Sequence, residues 1–286
     1  MSEIIDSGKT ILFIKSHLTS LTKAEYKAAQ YIIEHASEVI YHSVTELAEK
    51  AGVGETTVLR LCRKMKFQGF QDFKLSLAKD QVHPSKYFQT EVHENDDAIA
   101  LTQKIIATNI QTLENTKNLT DSVPLDKAIS LLCAASRIQF FGAGSSGLTA
   151  IQAAQLFTRI GKFCTAQLDP HFQAMEASLL DENSVAVGIS ISGSTKDTIE
   201  NMRLAKKAGA KVIVITSNAR SPITKYADIV LLSVAKENPL QGSSMSAKIS
   251  QLCIIDILNV GVSLKSKENA QKYRELTAKA ISDKLM

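Results

Sequence analysis

Apolar residues give way to small hydroxyl residues in the stretch Ala186-Val187-Gly188-Ile189-Ser190-Ile191-Ser192-Gly193-Ser194-Thr195. Val185–Ile191 has the length and composition of a buried parallel strand, and Lys196–Ala208 has a helical pattern. The first backbone N–H groups of a helix lack partners, and the helix dipole is positive there. The stretch therefore predicts a site for an anion, above all a phosphate, where the strand meets the helix.

Strand-like and helix-like segments alternate from residue 137 onwards. The predicted strands are Ile138–Phe141, Phe163–Leu168, Val185–Ile191, Val212–Thr216 and Ile229–Leu232. The predicted helices between them are Leu148–Ile160, Phe172–Leu180, Lys196–Ala208 and a short one near Pro222–Ala227. This order predicts a doubly wound parallel sheet with helices on both faces. Ligands of such sheets lie beyond the carboxyl ends of the strands, where this chain has small polar loops.

The loop after the first predicted strand allows two interpretations. Gly142-x-Gly144-x-x-Gly147 matches the dinucleotide fingerprint, and Asp169 follows 22 residues later at a strand end. A nicotinamide dinucleotide is therefore one candidate ligand. Two hydroxyl-rich loops that face each other suit a compact phosphate better than an extended pyrophosphate, so we expect no cofactor.

The N-terminal region has a helical pattern with two capping boxes, Thr22-x-x-Glu25 and Ser43-x-x-Glu46. Two short helices, Val44–Ala51 and Glu55–Met65, are joined by the tight turn Gly52-Val53-Gly54. This arrangement predicts a helix-turn-helix whose second helix enters the DNA major groove.

Basic side chains are concentrated on the second of these helices and just after it. Residues 56–79 hold six basic residues and one acidic residue. We expect the first turns to meet base edges and the end of the helix to meet phosphates. The base-contacting candidates are Thr56, Thr57 and Arg60, and the phosphate-contacting candidates are Arg63, Lys64 and Lys66. An ordinary helical bundle with a solvated basic face is the alternative.

The 286 residues suffice for about two domains, and the formal net charge is only +4. We predict a helix-turn-helix domain at 1–80, a linker at 81–97, and a sheet domain with flanking helices at 98–286. Four widely spaced cysteines are typical of a reduced, cytoplasmic protein. No apolar run approaches the ~18 residues of a membrane span, so we expect no membrane partner.

Particular motifs resemble two known families. Val44-Thr45-Glu46-Leu47-Ala48, Thr57–Lys64 and Phe67-Gln68-Gly69-Phe70-Gln71-Asp72-Phe73-Lys74 resemble the N-terminal domain of RpiR-type bacterial transcriptional regulators. Gly54 departs from that pattern, because relatives tend to carry a serine or another small polar residue at this helix cap. Gly142-Ala143-Gly144-Ser145-Ser146 and Ser190–Thr195 are similar to the signature loops of the SIS, or sugar isomerase, domain.

The SIS resemblance implies that a phosphosugar's phosphate is bound by Ser146, Ser190, Ser192 and Thr195, with help from Ser145, Gly144 and Gly193. Loop capping without a ligand is the alternative. Glu237 and Lys248 are the candidates for sugar contacts. No metal cluster, nucleophile–base pair or convincing catalytic base is evident, so we expect no catalytic residues.

The two resemblances together imply a DNA-binding transcriptional regulator of carbohydrate metabolism, not an enzyme. Its expected partners are operator DNA, a phosphosugar effector and a second copy of the chain, in a homodimer or homotetramer. The alternatives are an active phosphosugar isomerase or lyase, and a repressor that senses a dinucleotide at Gly142–Gly147.

Overall fold

A computed structural model describes residues 10–81, 92–93, 95–234, 245–282 and 284. The chain divides into two compact units, the first made mainly of residues 1–110 and the second mainly of residues 111–286. Most of the predicted linker, 81–97, lies outside the described residues. The boundaries at 80 and 97 therefore stay a prediction.

Helices build the described part of the first unit. They are α1 (Thr10–His17), α2 (Lys23–Glu34), α3 (Ala36–Val39), α4 (Val44–Lys50), α5 (Glu55–Lys64) and α6 (Phe70–Gln81). Both predicted capping boxes are confirmed. The hydroxyl of Thr22 accepts from the backbone N–H of Glu25, whose carboxylate accepts from the N–H of Thr22 in return. Ser43 and Glu46 make the same pair of bonds at the start of α4.

The aromatic motif that follows α5 forms much of this unit's core. Phe67, Phe70 and Phe73 are all buried, and the rings of Phe67 and Phe73 lie 5.4 Å apart. The Asp72 carboxylate accepts from the backbone N–H of Gln68 and so fixes the turn into α6. Helices α2, α4 and α6 all pack against α5.

The second unit contains a parallel sheet with the strand order β2-β1-β3-β4-β5. Its strands are β1 (Arg137–Phe141), β2 (Cys164–Ala166), β3 (Ser184–Ile189), β4 (Lys211–Thr216) and β5 (Ile229–Leu232). Helix α7 (Ala98–Leu119) belongs to the first unit up to Ile110 and to the second unit from Gln111 onwards. The other helices of the second unit are α8 (Ser122–Ala134), α9 (Gly144–Arg159), α10 (Pro170–Ser178), α11 (Lys196–Lys207), α12 (Met245–Lys265) and α13 (Lys267–Ser282). The predicted doubly wound sheet is therefore confirmed.

Alternate residues of the strands pack into two apolar layers. Ile138 and Phe140 of β1 join the layer that contains α8, α9 and α12. Phe141 of β1 joins the opposite layer, which contains Ala177 of α10 and Met202 of α11. This two-residue period follows from the pleat of a strand that is covered on both faces.

The structure corrects one boundary that matters for the site. The sequence predicts the helix after β1 from Leu148, but α9 begins at Gly144. Gly144 has a φ of +55°, which lets the chain turn from β1 directly into a helix. Ser145 and Ser146 therefore lie in the first helical turn instead of a preceding loop.

Among the described helices, α12 alone is long and apolar enough to span a membrane by length and composition. Half of the apolar window is buried inside the protein, and the helix packs against α8 and α9. This packing is that of a core helix.

Candidate functional site

Two loops lie side by side at the carboxyl edge of the sheet. Strands β1 and β3 are neighbours, with Phe141 of β1 opposite Gly188 of β3. Loop 1, Gly142–Gly147, leaves the end of β1, and loop 2, Ser190–Thr195, leaves the end of β3. The strand order reverses direction between β1 and β3, which is where ligands bind in open parallel sheets.

Loop 2 concentrates hydroxyl groups at the start of α11. Ser190 is 3% exposed; its hydroxyl accepts from the backbone N–H of Gly193 at 3.2 Å and lies 3.3 Å from the hydroxyl of Thr195. The Ser192 hydroxyl accepts from the N–H of Ser194. Gly193 has a φ of +63°, the left-handed conformation that a glycine adopts without strain. The loop is thus a compact turn lined with hydroxyl groups.

Neither helix at the two loops is capped by a side chain. Ala143 precedes α9 and Thr195 precedes α11, and neither residue makes a side-chain cap hydrogen bond. Thr195 therefore does not cap α11, whereas the hydroxyls of Ser190 and Ser192 accept from backbone N–H groups of loop 2, which agrees with the alternative of loop capping without a ligand. The uncapped ends leave backbone N–H groups and two positive helix dipoles for an anion.

A third polar loop follows β4 and braces loop 2. The Asn218 amide donates to the backbone carbonyl of Ser192 at 3.1 Å. The hydroxyl of Ser217 donates to the backbone carbonyl of Ile191 at 2.6 Å. These two side-chain hydrogen bonds, together with a backbone N–H of Ser217 that also donates to the Ile191 carbonyl, join loop 2 to the loop after β4.

Loop 1 is held from α12, through a residue that the sequence did not single out. The Gln251 amide nitrogen donates to the hydroxyl of Ser146 at 3.3 Å, and its oxygen accepts from the hydroxyl of Thr149 at 3.3 Å. Gln251 is fully buried, and Ser146 is 7% exposed. The glutamine therefore positions one of the predicted phosphate ligands.

A second buried amide, Gln173 of α10, connects loop 1 to α11. Its amide nitrogen donates to the carbonyl oxygens of Gly142 and Gln167 at 2.9 and 2.8 Å, and its oxygen accepts from Asn201 at 2.9 Å. Gln173 and Asn201 are 2% and 1% exposed. No sequence signal could have found them, because polar residues on amphipathic helices normally face solvent.

The dinucleotide fingerprint has a structural explanation here. A Cβ added at Gly142 would lie 2.7 Å from the backbone oxygen of Ser146, so glycine is needed for the close turn between β1 and α9. Asp169, the expected ribose ligand, accepts from the backbone N–H groups of His171 and Phe172 as the cap of α10. Its carboxylate is thus engaged in helix capping.

Of the two candidate sugar contacts, the structure describes only Lys248. Glu237 lies outside the described residues. Lys248 is on α12, and its side chain lines a groove between α9 and α12 together with Leu148 and Asp256. Its role at the sugar stays a prediction.

Within the described residues, no cluster of His, Cys, Asp and Glu could hold a metal ion. The cysteines are free, and burial raises the pKa of Cys62 to about 12. Burial also raises the pKa of Cys164 and of Cys253. These three thiols stay protonated near neutral pH and are poor nucleophiles.

The first unit carries the predicted helix-turn-helix, formed by α4, a turn and α5. Val58, Leu61 and Cys62 turn inward, whereas Thr56 and Arg60 are exposed. Thr57 is half-buried. Gly54 precedes α5 without a side-chain cap, as its lack of a hydroxyl predicts, and the hydroxyl of Thr45 on α4 donates to the Glu55 carboxylate at 2.7 Å.

The basic residues at the end of α5 differ in their surroundings. Arg63 is exposed and, like Arg60, forms no ion pair with any residue that the structure describes. Lys66 is exposed just beyond α5, where its φ is +64°. The Lys64 ammonium donates to the carboxylate of Glu25 at 3.1 Å and to the carbonyl of Ser20 at 2.7 Å. Lys64 is therefore tied to neighbouring structure, and its phosphate contact stays a prediction.

A helix-turn-helix unit and a doubly wound sheet with two hydroxyl-rich loops define a class of ligand-responsive DNA-binding proteins. Family models support this class: the helix-turn-helix domain of the rpiR family matches residues 9–83, and the SIS domain matches residues 130–261. The chain belongs to the rpiR family of HTH-type transcriptional regulators and carries a SIS domain.

Similar proteins cover almost the whole chain. An HTH-type transcriptional regulator of Haemophilus influenzae is 36% identical over 96% of this chain and 97% of its own. The HTH-type transcriptional regulator HexR of Escherichia coli is 32% identical over 95% of each chain. The structure of Vibrio vulnificus NanR complexed with ManNAc-6P superposes with a TM-score of 0.87 and 27% identity, covering 96% of this chain and 99% of that one.

Proposed function

We propose that this protein regulates genes of carbohydrate metabolism by binding operator DNA through its first unit and a phosphosugar effector through its second. The observation that carries the proposal is the pair of uncapped, hydroxyl-lined helix starts at loops 1 and 2. The similarity to NanR, whose structure contains ManNAc-6P, supports the same class of ligand.

The phosphate would lie between the two loops. Ser146, Ser190, Ser192 and Thr195 offer hydroxyl donors, and the starts of α9 and α11 offer backbone N–H groups. A dianionic phosphate accepts several such bonds at once, and both helix dipoles favour its charge. Ser145, in the first turn of α9, is placed to assist.

On the DNA side, α5 would enter the major groove. Thr56, Thr57 and Arg60 in its first turns would contact base edges, whereas Arg63, Lys64 and Lys66 would contact phosphates. A two-fold operator requires two copies of α5 about one DNA turn, ~34 Å, apart, so the active form would be a homodimer or homotetramer in the cytoplasm.

The effector would act by linkage. It binds one arrangement of the oligomer better, and the operator affinity changes by the same factor as the effector affinity. No turnover is needed for this role, and a binding site built from neutral donors supports sensing in preference to isomerisation.

A thermal-shift screen tests this function. Phosphosugars, with ManNAc-6P first, should raise the Tm, while the unphosphorylated sugars and NADH should not. The phosphosugar that binds should also change the affinity for operator DNA in an equilibrium assay. A Tm shift with NADH alone would favour the dinucleotide alternative, and conversion of the phosphosugar would favour the isomerase.

A further inference from the structure

Helix α7, all of whose residues the structure describes, buries two threonines and no aliphatic side chain. Thr112 and Thr116 are the buried residues among its 22. Isoleucines elsewhere on the helix are exposed, with Ile99 at 69%, Ile106 at 52% and Ile110 at 57%. A helix that packs by apolar contact turns its isoleucines inward and its hydroxyls outward. The buried face of α7 is therefore polar, and its hydrogen bonds need an explanation.

The Thr116 hydroxyl belongs to a directed chain of buried hydrogen bonds. The backbone N–H of Val234, just after β5, donates to the Ser250 hydroxyl of α12 at 2.8 Å. The hydroxyls of Ser250 and Thr116 lie 2.8 Å apart, and the Thr116 hydroxyl donates to the Thr112 carbonyl at 2.7 Å. Because a hydroxyl carries a single hydrogen, Ser250 is the donor to Thr116. This chain of bonds joins α7 to α12 in a fixed orientation.

The next residue of α12 contacts the candidate effector site. The Gln251 amide nitrogen donates to the Ser146 hydroxyl of loop 1 at 3.3 Å. Successive residues of a helix point about 100° apart, so Ser250 faces α7 while Gln251 faces loop 1. One turn of α12 therefore touches both a candidate phosphate ligand and α7.

A phosphate bound at loop 1 would strengthen the contact between Ser146 and Gln251. Among the described residues, the Ser146 hydroxyl accepts from Gln251 and donates to no other group, so its hydrogen is available to a phosphate oxygen. A hydroxyl that donates to an anion becomes a better acceptor. The present 3.3 Å separation exceeds the ~2.9 Å typical of an N–H···O bond, which leaves room for α12 to be drawn towards loop 1.

We propose that the hydrogen bond between Thr116 and Ser250 transmits effector binding at loop 1 to α7, the helix that continues from the second unit into the first. The inference rests on the proposed function and names residues that regulate it. The division between the two units falls inside α7, after Ile110, so a displacement of Thr116 acts on a helix that reaches the first unit without interruption. A hydroxyl pair at 2.8 Å transmits such a shift more strictly than an apolar contact, because hydrogen bonds weaken steeply away from their preferred geometry.

Two substitutions at Thr116 separate its hydrogen bond from its other contacts. Thr116→Val keeps the shape and removes the hydroxyl, whereas Thr116→Ser keeps the hydroxyl. The measured quantity is the factor by which a saturating phosphosugar, the one that most raises the Tm in the thermal-shift screen, changes the Kd for an operator duplex that the wild-type protein selects from random DNA.

The hydroxyl should decide the size of this factor. We expect a factor of about 5 to 150 in the wild-type protein and in Thr116→Ser, and of about 2 or less in Thr116→Val. Neither substitution should change the Kd for the phosphosugar alone or for the operator alone by more than about twofold, since Thr116 contacts neither ligand site. Fluorescence anisotropy with the operator and calorimetry with the phosphosugar measure these constants.

A matched control and a second variant complete the test. Thr102→Val on the same helix should keep the wild-type factor, because the exposed Thr102 hydroxyl donates to the Ala98 carbonyl at 2.7 Å within α7 itself. Ser250→Ala removes the same hydrogen bond from the α12 side and should lose the factor. It takes the place of Thr116→Val if that variant shows no cooperative unfolding.

The outcomes separate this inference from the proposed function. A wild-type factor in folded Thr116→Val or folded Ser250→Ala would overturn the role of the hydrogen bond, and so would loss of the factor in Thr116→Ser or Thr102→Val. Each of these results would leave the proposed function intact, because the wild-type protein still binds both partners. A wild-type protein that binds no phosphosugar or no operator would contradict the proposed function and, with it, this inference.

Discussion

The two units of this protein offer phosphate groups opposite kinds of partner. Helix α5 of the first unit presents flexible charged side chains, and Arg60 and Arg63 are exposed without ion pairs to any described residue. Loops 1 and 2 of the second unit present neutral donors, and Ser146 and Ser190 are only 7% and 3% exposed.

This difference separates long-range attraction from local geometry. Exposed charges attract a polyanion from a distance, but salt screens them. Buried hydroxyls and helix N–H groups act only at hydrogen-bond distance, so they select a compact phosphate by shape. We therefore expect the affinity for DNA phosphates at α5 and the affinity for a sugar phosphate at loops 1 and 2 to respond differently to salt and to mutation.

Salt should separate the two sites most clearly. If Arg63, Lys64 and Lys66 contact phosphates in both copies of a dimer, operator affinity should fall about 10³-fold between 50 and 200 mM salt. Effector affinity should change far less over the same range, because its donors are neutral. Fluorescence anisotropy on labelled operator and calorimetry with the phosphosugar measure the two slopes. Equal salt dependence of operator affinity and effector affinity would contradict the distinction between charged and neutral phosphate donors.

Within α5, base contacts and phosphate contacts should differ in specificity. Arg60→Ala should weaken binding to the operator by about 5- to 150-fold and relax the preference for one base pair. Arg63→Ala should weaken operator and random DNA alike. Competition assays with single-base operator variants measure this difference. An Arg60→Ala protein with unchanged affinity and preference would overturn the base-reading assignment.

In loop 2, loss of one hydroxyl should remove the effector response. Ser192→Ala should lower phosphosugar affinity by about 10- to 100-fold, since a hydrogen bond to a charged group is lost. DNA binding without the effector should be unchanged. Ser178→Ala is a matched control, because the exposed Ser178 hydroxyl on α10 donates to the Met175 carbonyl and has no other hydrogen bond among the residues that the structure describes. Simultaneous loss of both activities in Ser192→Ala would indicate a merely structural loop.

Sequence patterns predicted the elements but not the partners that position them. The apolar run into Ser190 and the capping boxes at Thr22 and Ser43 are local signals, and the structure confirms them. The burial of Gln173 and Gln251 depends on chain segments far away in sequence, so periodicity could not reveal it. The early start of α9 was missed because a glycine-rich stretch has low helix propensity.

The buried amide of Gln173 allows a test of how strongly effector binding at loops 1 and 2 depends on the position of loop 1. Gln173→Met would leave the carbonyl of Gly142 and the amide of Asn201 without their partners. The expected cost is about 2–4 kcal/mol in unfolding free energy of the second unit. Effector affinity should fall because loop 1 is held less firmly, while the affinity for DNA without effector should not change. Calorimetric unfolding and titration measure both, and an unchanged Tm would show that the network is dispensable.

The smallest expected effect concerns Lys64, the basic residue of α5 that forms an ion pair with Glu25. The backbone N–H of Thr22 and the ammonium of Lys64 hold the pKa of Glu25 below its ordinary value. A lowered pKa in the folded state gives stability that is present above the unfolded pKa and is lost as pH falls through the folded one. Unfolding of the first unit should therefore become easier as pH drops below ~4, and Glu25→Gln should weaken that dependence.

The same substitution would release Lys64 from its ion pair. An unpaired ammonium at the end of α5 is free to contact a DNA phosphate, so Glu25→Gln should slightly increase both operator affinity and its salt slope. Anisotropy titrations at several salt concentrations measure both, and Lys64→Ala in the Glu25→Gln background is the control that should abolish the gain. An unaltered slope in Glu25→Gln would mean that Lys64 only stabilises the fold, and that the phosphate contacts at the end of α5 come from Arg63 and Lys66 without Lys64.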